Sequence, residues 1–134
     1  MRTACETSRV AAHVLGVGVD LVEIDEFRAS VLRRPSIARL VFSARELAAC
    51  SGRGRVEKLA ARFAAKEAAF KATGTGWARG MTLRDVEVVS RANGSPALVV
   101  RGELRRRVRA LGGRFHVSLS HSGRYATALV VLSR

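Results

Sequence analysis

The chain has 134 residues, 48% of them hydrophobic, and a formal net charge of +13. That length predicts one domain whose core needs no disulfides or structural metals, and no apolar run approaches a membrane span, which argues against a membrane protein. The charge points to an anionic partner: nucleic acid, a phosphorylated small molecule, an acidic protein or an anionic surface. Nearly all of it is arginine, and lysine occurs only at Lys58, Lys66 and Lys71.

Residues 1–13 show no period and are expected to be a disordered lead-in, followed by a single domain over 14–134. The start carries an early arginine but only short apolar runs, so no secretory signal is expected. Cys5 and Cys50 are isolated, without metal-ligand spacing, and read as thiols of a cytoplasmic protein. Residues 14–22 are apolar and β-branched and predict a buried strand. Gly16-x-Gly18 matches part of a dinucleotide fingerprint, but no third glycine opens a helix, and the motif is rejected. Glycines inside a strand mark the close approach of a ligand or another backbone. Asp20 stands among aliphatic residues, either as a strand-end acid or as a carboxylate that is paired, hydrogen-bonded or metal-bound.

An amphipathic helix is expected over 25–32 with Asp25 as N-cap, and a short helical turn over 36–41 after Pro35. Ser43-Ala44-Arg45-Glu46 is a capping box, which predicts a helix from there to about Cys50. A loop at Gly52 and Gly54 leads to a central helix over 56–73, about 27 Å long at 1.5 Å per residue. Gly74-Thr75-Gly76 ends it, glycine supplying the left-handed turn. The pattern then changes from helix to sheet. A valine-rich strand over 83–90 turns at Asn93-Gly94 and returns over 96–101. A basic helix over 103–111 follows, and a second hairpin pairs 115–120 with 125–132. The fold class is therefore α+β, an antiparallel sheet of hairpins packed on a long central helix.

Chemistry concentrates on that helix, in Arg62-Phe63-Ala64-Ala65-Lys66-Glu67-Ala68-Ala69-Phe70-Lys71. One acid stands among three cations on an otherwise apolar segment. Two readings are open. The helix is either a surface element with an ordinary Glu67–Lys71 pair, or a site where Glu67 holds a metal and the bases hold phosphates. Ser118-Leu119-Ser120-His121 near the last turn adds a histidine free to reach outward. No Gly-x-Ser-x-Gly turn is present for hydrolase chemistry. Asp20, Glu67, Lys71 and His121 together make a plausible magnesium–pyrophosphate site.

Gly18-Val19-Asp20, the Arg62–Ala68 block with Lys71, and Ser118–His121 before an alanine-containing last strand occur in that order. Together they closely resemble the holo-acyl-carrier-protein synthases, the small 4′-phosphopantetheinyl transferases, over almost the whole chain. The resemblance implies a phosphopantetheinyl-transferase fold and transfer of phosphopantetheine from coenzyme A to a serine of an apo acyl carrier protein. It implies magnesium at Asp20 and Glu67, and release of adenosine 3′,5′-bisphosphate. Glu67, Lys71 and His121 would be the catalytic set. Arg62, Lys66, Lys71, Gly74, Gly76 and His121 would contact coenzyme A. The implied assembly is a homotrimer with the site between neighbouring subunits. An acidic carrier is expected to dock on the Arg28 and Arg33 region. Two positions depart from the family pattern. Glu26 stands where many relatives carry a basic residue facing the carrier, and Ser122 follows His121 where some carry an acid.

Two other classes compete. A nucleic-acid-binding module fits the charge, but aromatics are only 5% and no nucleic-acid motif is present, so no nucleic acid is expected. A non-catalytic interaction protein leaves Asp20 and Glu67 unexplained.

Overall fold

A computed structural model of the protein describes residues 13–74, 76 and 80–134. Its centre is the packing of strand β1 (Val14–Glu23) against helix α4 (Arg55–Ala72). The helix is alanine-rich, so neighbouring backbones reach it closely, and Ala60, Ala64, Ala65, Ala68 and Ala69 are fully buried. On the strand the matching positions are glycines. A methyl group built on Gly16 would stand 1.9 Å from the Ala72 carbonyl oxygen, and one on Gly18 would stand 1.9 Å from that of Ala68. The expected close approach is thus strand backbone on helix backbone. Gly18→Ala forces the two elements apart and should cost about 3 kcal/mol, the upper range for overpacking a filled core. Urea unfolding measures it, and a loss below about 1 kcal/mol would show that the contact is soft.

β1 pairs antiparallel with β5 (Tyr125–Ser133), and β5 pairs with β4 (Arg114–Ser122), in the order β1-β5-β4. Side chains alternate across this sheet. Ala126, Ala128, Val130 and Leu132 point into the core with Val22, while Val17, Val19, Leu21 and Leu129 are exposed on the other face. β2 (Val86–Ser90) and β3 (Pro96–Val100) form their own two-stranded sheet. The hairpins therefore belong to two sheets, and the expected strand over 83–90 opens with a single 3₁₀ turn, Leu83–Asp85. α5 (Gly102–Ala110) buries Leu104 and Val108 and leaves its arginines outside.

Between β1 and α4 the chain forms α1 (Ile24–Phe27), a wider π-type continuation over Arg28–Leu32, α2 (Pro35–Val41) and α3 (Ala44–Ala49). Asp25 lies inside the first turn of α1, and Glu23 takes the N-cap position expected for Asp25. The capping box at Ser43 and Glu46 forms as expected, with both reciprocal bonds present. Phe27 anchors the α1 segment, its ring 5.4 Å from Phe63 and 6.2 Å from Phe42. The expected lead-in lies outside the described residues apart from His13, whose carbonyl accepts the Arg134 amide at 2.9 Å.

Candidate active site

Asp20 is on the helix-facing side of β1, one pleat beyond Gly18. The missing side chain at Gly18 lets the strand lie on α4, and this brings Asp20 to the last turn of the helix. There the Lys71 ammonium donates to Asp20 Oδ1 at 3.0 Å and to the Val19 carbonyl at 3.0 Å. Thr127 Oγ1 donates to the Asp20 carbonyl at 2.8 Å, which fixes the strand beneath the carboxylate. Glu67, one turn before Lys71, faces the same cleft. The cleft has a volume of about 290 Å³, and its lining includes Asp20, Glu23, Glu26, Phe27, Phe63 and Glu67. Acids distant in sequence thus share one recess with an aromatic floor. Among the described residues no three His, Cys, Asp or Glu side chains are grouped closely enough to hold a metal unaided. Asp20 and Glu67 are hard oxygen donors, suited to a cation that takes its remaining ligands from water and phosphate oxygens.

Lys66, expected as a coenzyme A contact, requires correction. Its side chain is 0% exposed and its ammonium donates to Glu46 Oε1 at 2.7 Å. It also donates to the Leu83 carbonyl at 3.2 Å and to the Val86 carbonyl. An ammonium has three donors, and all three are used. Burial pushes the Lys66 ammonium below its ordinary value, and Glu46 opposes that shift. This cation joins α4 to α3 and β2 and cannot touch a phosphate. Glu46 completes the network by accepting the Ser43 amide at 3.0 Å and the Val88 amide at 3.0 Å. The pattern Ser-x-x-Glu explained Glu46 as a local cap and gave no sign of this second, long-range role.

Glu87 closes the same region. It is 4% exposed, with Arg101 at 3.4 Å and Arg45 at 3.7 Å. The Ser43 hydroxyl, ahead of Arg101 and Arg45, holds the Glu87 carboxyl below its ordinary 4.5 against the opposing effect of burial. A folded value below the unfolded one gives stability that is present above the unfolded value and lost as pH falls through the folded one. Glu87→Gln should therefore destabilise at neutral pH, and the gap to wild type should close in acid. Urea midpoints compared at neutral pH and below the ordinary carboxylate value check this. A gap that stays constant would contradict it.

The remaining candidates do not line the cleft of a single chain. Arg62 is half-buried on α4, and its buried Nε has no hydrogen-bond partner among the described residues. It lies close enough to Cys50 to lower the thiol's value, which burial nevertheless pushes up. His121 is exposed near the β4–β5 turn, level with Val22 through their common partner Ala126. It shares the helix-facing side of the sheet with Asp20 but stands two strands away. Gly74 has a φ of +75°, the left-handed turn that ends α4. Gly76 follows Thr75, which lies outside the described residues. Glu23, Glu26 and Phe27 also line the cleft. Of these only Glu26 stood out in sequence, as a carrier-facing departure from the family pattern, while Phe27 reads as an ordinary member of an amphipathic turn and Glu23 carries no local signal.

Residues 16–130 match the family model of the 4′-phosphopantetheinyl transferase superfamily. A holo-[acyl-carrier-protein] synthase of Streptomyces avermitilis is 46% identical over 120 residues, which cover 88% of this chain and 96% of that one. The crystal structure of a Bacillus anthracis holo-(acyl-carrier-protein) synthase in complex with CoA (3′,5′-ADP) is 31% identical. It superposes with a TM-score of 0.73 over 90% of this chain and 96% of that chain. The Neisseria meningitidis enzyme of the same name, 28% identical, gives a TM-score of 0.82 over 91% of this chain and 100% of that chain. A match of this extent, with the Gly18–Asp20 strand and the Arg62–Lys71 helix packed against each other, shows that the chain belongs to the 4′-phosphopantetheinyl transferase superfamily, as a transferase of the holo-acyl-carrier-protein synthase family.

Proposed function

We propose that this enzyme moves the 4′-phosphopantetheine group of coenzyme A onto a serine hydroxyl of an apo acyl carrier protein, with magnesium, and releases adenosine 3′,5′-bisphosphate. The observation that carries the proposal is the meeting of Asp20 and Glu67 at one cleft, with the Lys71 ammonium bound to Asp20. Such a transfer asks the protein chiefly to position the reactants and stabilise charge on the pyrophosphate. Asp20 and Glu67 would hold the magnesium, which when bound neutralises pyrophosphate oxygens. Lys71 spends two donors on Asp20 and Val19 and keeps a third for a phosphate oxygen. The nucleophile arrives on the carrier, so this chain needs none of its own.

The carrier would lie over the groove beside the cleft, where Arg28, Arg33 and Arg55 surround Ala29, Leu32 and Val56. That combination suits an acidic helix with an apolar edge. A homotrimer is the assembly we favour. Val17, Val19 and Leu21 are 56%, 59% and 66% exposed on the outer sheet face, an apolar surface fitted for burial against further copies. A neighbouring copy could then bring His121 to a phosphate that the single-chain cleft leaves uncontacted. The free, buried Cys50 suits a reducing compartment, and we place the enzyme in the cytoplasm. Among the described residues no helix is long and apolar enough to cross a membrane.

Incubation with coenzyme A, a magnesium salt and a panel of apo carrier proteins, followed by mass spectrometry of the carriers, tests the reading. A gain of one phosphopantetheine group, abolished by chelation, is the expected result. No gain with any carrier would overturn it.

A further inference from the structure

A concentrated run of positive charge lies away from the cleft, on and around α5. Residues 101–114 hold six arginines and one acid, Glu103. Leu104 and Val108 hold α5 to the core. At 100° per residue, Arg105 and Arg109 fall on one flank of that buried stripe and Arg107 on the other. Arg106 is paired with Glu103, and Arg101 with Glu87. Arg105, Arg107, Arg109 and Arg114 are exposed, and among the described residues no ion pair holds any of them. Arg134 joins them past the end of the helix, where it donates to the Leu111 carbonyl at 3.2 Å. Arg107 and Arg109 suit the negative end of the helix dipole. Arg105 does not, and it stands one turn from Arg109, a spacing at which like charges weaken a helix. The helix therefore gives up some stability to gather these cations. None of them lines the cleft. Arg114 opens β4 opposite Ser133, which also pairs with Val14. The run of β1 from Val14 to Asp20, about 20 Å at 3.3 Å per residue, separates that end of the sheet from the cleft.

We infer that α5 docks this protein on an anionic lipid bilayer, with Arg105, Arg107, Arg109 and Arg114 taking the lipid phosphates. A cluster of about four to eight basic side chains on one helix is enough for such adsorption, and guanidinium forks match phosphate oxygens in pairs. Two features favour a bilayer over nucleic acid. The exposed side chains of α5 include no aromatic ring to stack on a base and no Asn or Gln to read one. With one stripe buried, the helix stands proud by about half of its 10–12 Å diameter, less than the depth of a duplex major groove, about 8.5 Å. A plane of headgroups needs no such depth, and arginines on both flanks of the helix reach it together. The two large apolar side chains of α5, Leu104 and Val108, are buried in the core and cannot insert, so the docking is electrostatic and reversible.

The test sediments the protein with vesicles of phosphatidylcholine alone, or of phosphatidylcholine with an equal part of phosphatidylglycerol. The anionic vesicles should bind the protein and the neutral ones should not, and added salt should release it. Arg105→Gln combined with Arg109→Gln should lower the partition coefficient about 25-fold, at about fivefold for each arginine near a charged surface. Both positions are exposed and glutamine forms helix about as well as arginine, so the variant should fold. Its kcat and its KM for coenzyme A, measured without vesicles, should match wild type. Arg28→Gln combined with Arg124→Gln makes the same change of net charge near the cleft end of the sheet. That pair should cost less than about threefold, because charges beyond the Debye length of about 8–10 Å are screened. Equal binding to both kinds of vesicle overturns the inference. So does a loss in the second pair as large as in the first, since adsorption would then follow net charge and not this helix. A raised KM for coenzyme A in the α5 variant also overturns it, by returning these arginines to the nucleotide. Preferential capture by duplex DNA at equal phosphate concentration, lost in the same variant, would make α5 a nucleic-acid surface and overturn it too. Each of these results leaves the transferase reading intact.

Discussion

Glu67→Gln should lower kcat for phosphopantetheine transfer by about 10²–10³-fold, the usual loss when a group aimed at developing transition-state charge is removed. The substitution keeps the shape of the side chain and removes the charge that would hold the cation. KM for the carrier should stay near the wild-type value, since the docking groove lies on the other side of the α1 segment. Glu67 sits on the extensively buried helix α4, between the fully buried Lys66 and Ala68, and is itself only partly buried, so the variant should fold. Initial rates by mass spectrometry, over a range of magnesium concentrations, measure the effect. A loss under tenfold, with unaltered magnesium dependence, would mean that Glu67 neither holds the metal nor acts on the phosphate.

Lys66→Met has the largest expected effect on stability. It leaves the Glu46 carboxylate in the core with two amide donors and no counter-charge. Breaking one side of a buried ion pair costs about 3–5 kcal/mol, because the abandoned charge is not rehydrated. The carbonyls of Leu83 and Val86 lose their donor as well. The unfolding midpoint in urea should fall accordingly. If the variant does not accumulate, Glu46→Gln tests the same pair from the other side, by a smaller step. A Lys66→Met enzyme as stable as wild type but with a much higher KM for coenzyme A would refute the structural assignment and return Lys66 to the ligand site.

These two substitutions fall on adjacent residues of one motif, and that shows what a sequence can and cannot carry. Along the chain, Lys66 and Glu67 look equally available for a phosphate or a metal. Helical geometry turns neighbours by 100°, so one meets the α3–β2 wall while the other meets the cleft. Only the packing of α4 decides which is which. The boundaries of α4, the capping box at Ser43, the final hairpin and the rejection of Gly16-x-Gly18 as a nucleotide loop were all legible, because they depend on local periodicity and turn chemistry. Cleft residues such as Glu23 and Phe27 were not, because a cleft is made by elements far apart in sequence.

The order of residues by itself determined the α+β class, the glycine-paved strand, the alanine-rich helix and the motifs that mark the transferase family. Each follows from short-range sterics or from residue types that few other arrangements tolerate. Tertiary structure alone decided that Asp20 takes Lys71 as its partner, that Glu46 and Lys66 form a sealed pair, and that carboxylates and arginines fall on opposite sides of the α1 segment. The two ion pairs are contacts across 20 and 51 positions of sequence. The Asp20–Lys71 contact exists because Gly16 and Gly18 let a strand lie directly on a helix, and that fit is settled by the volumes of both elements together.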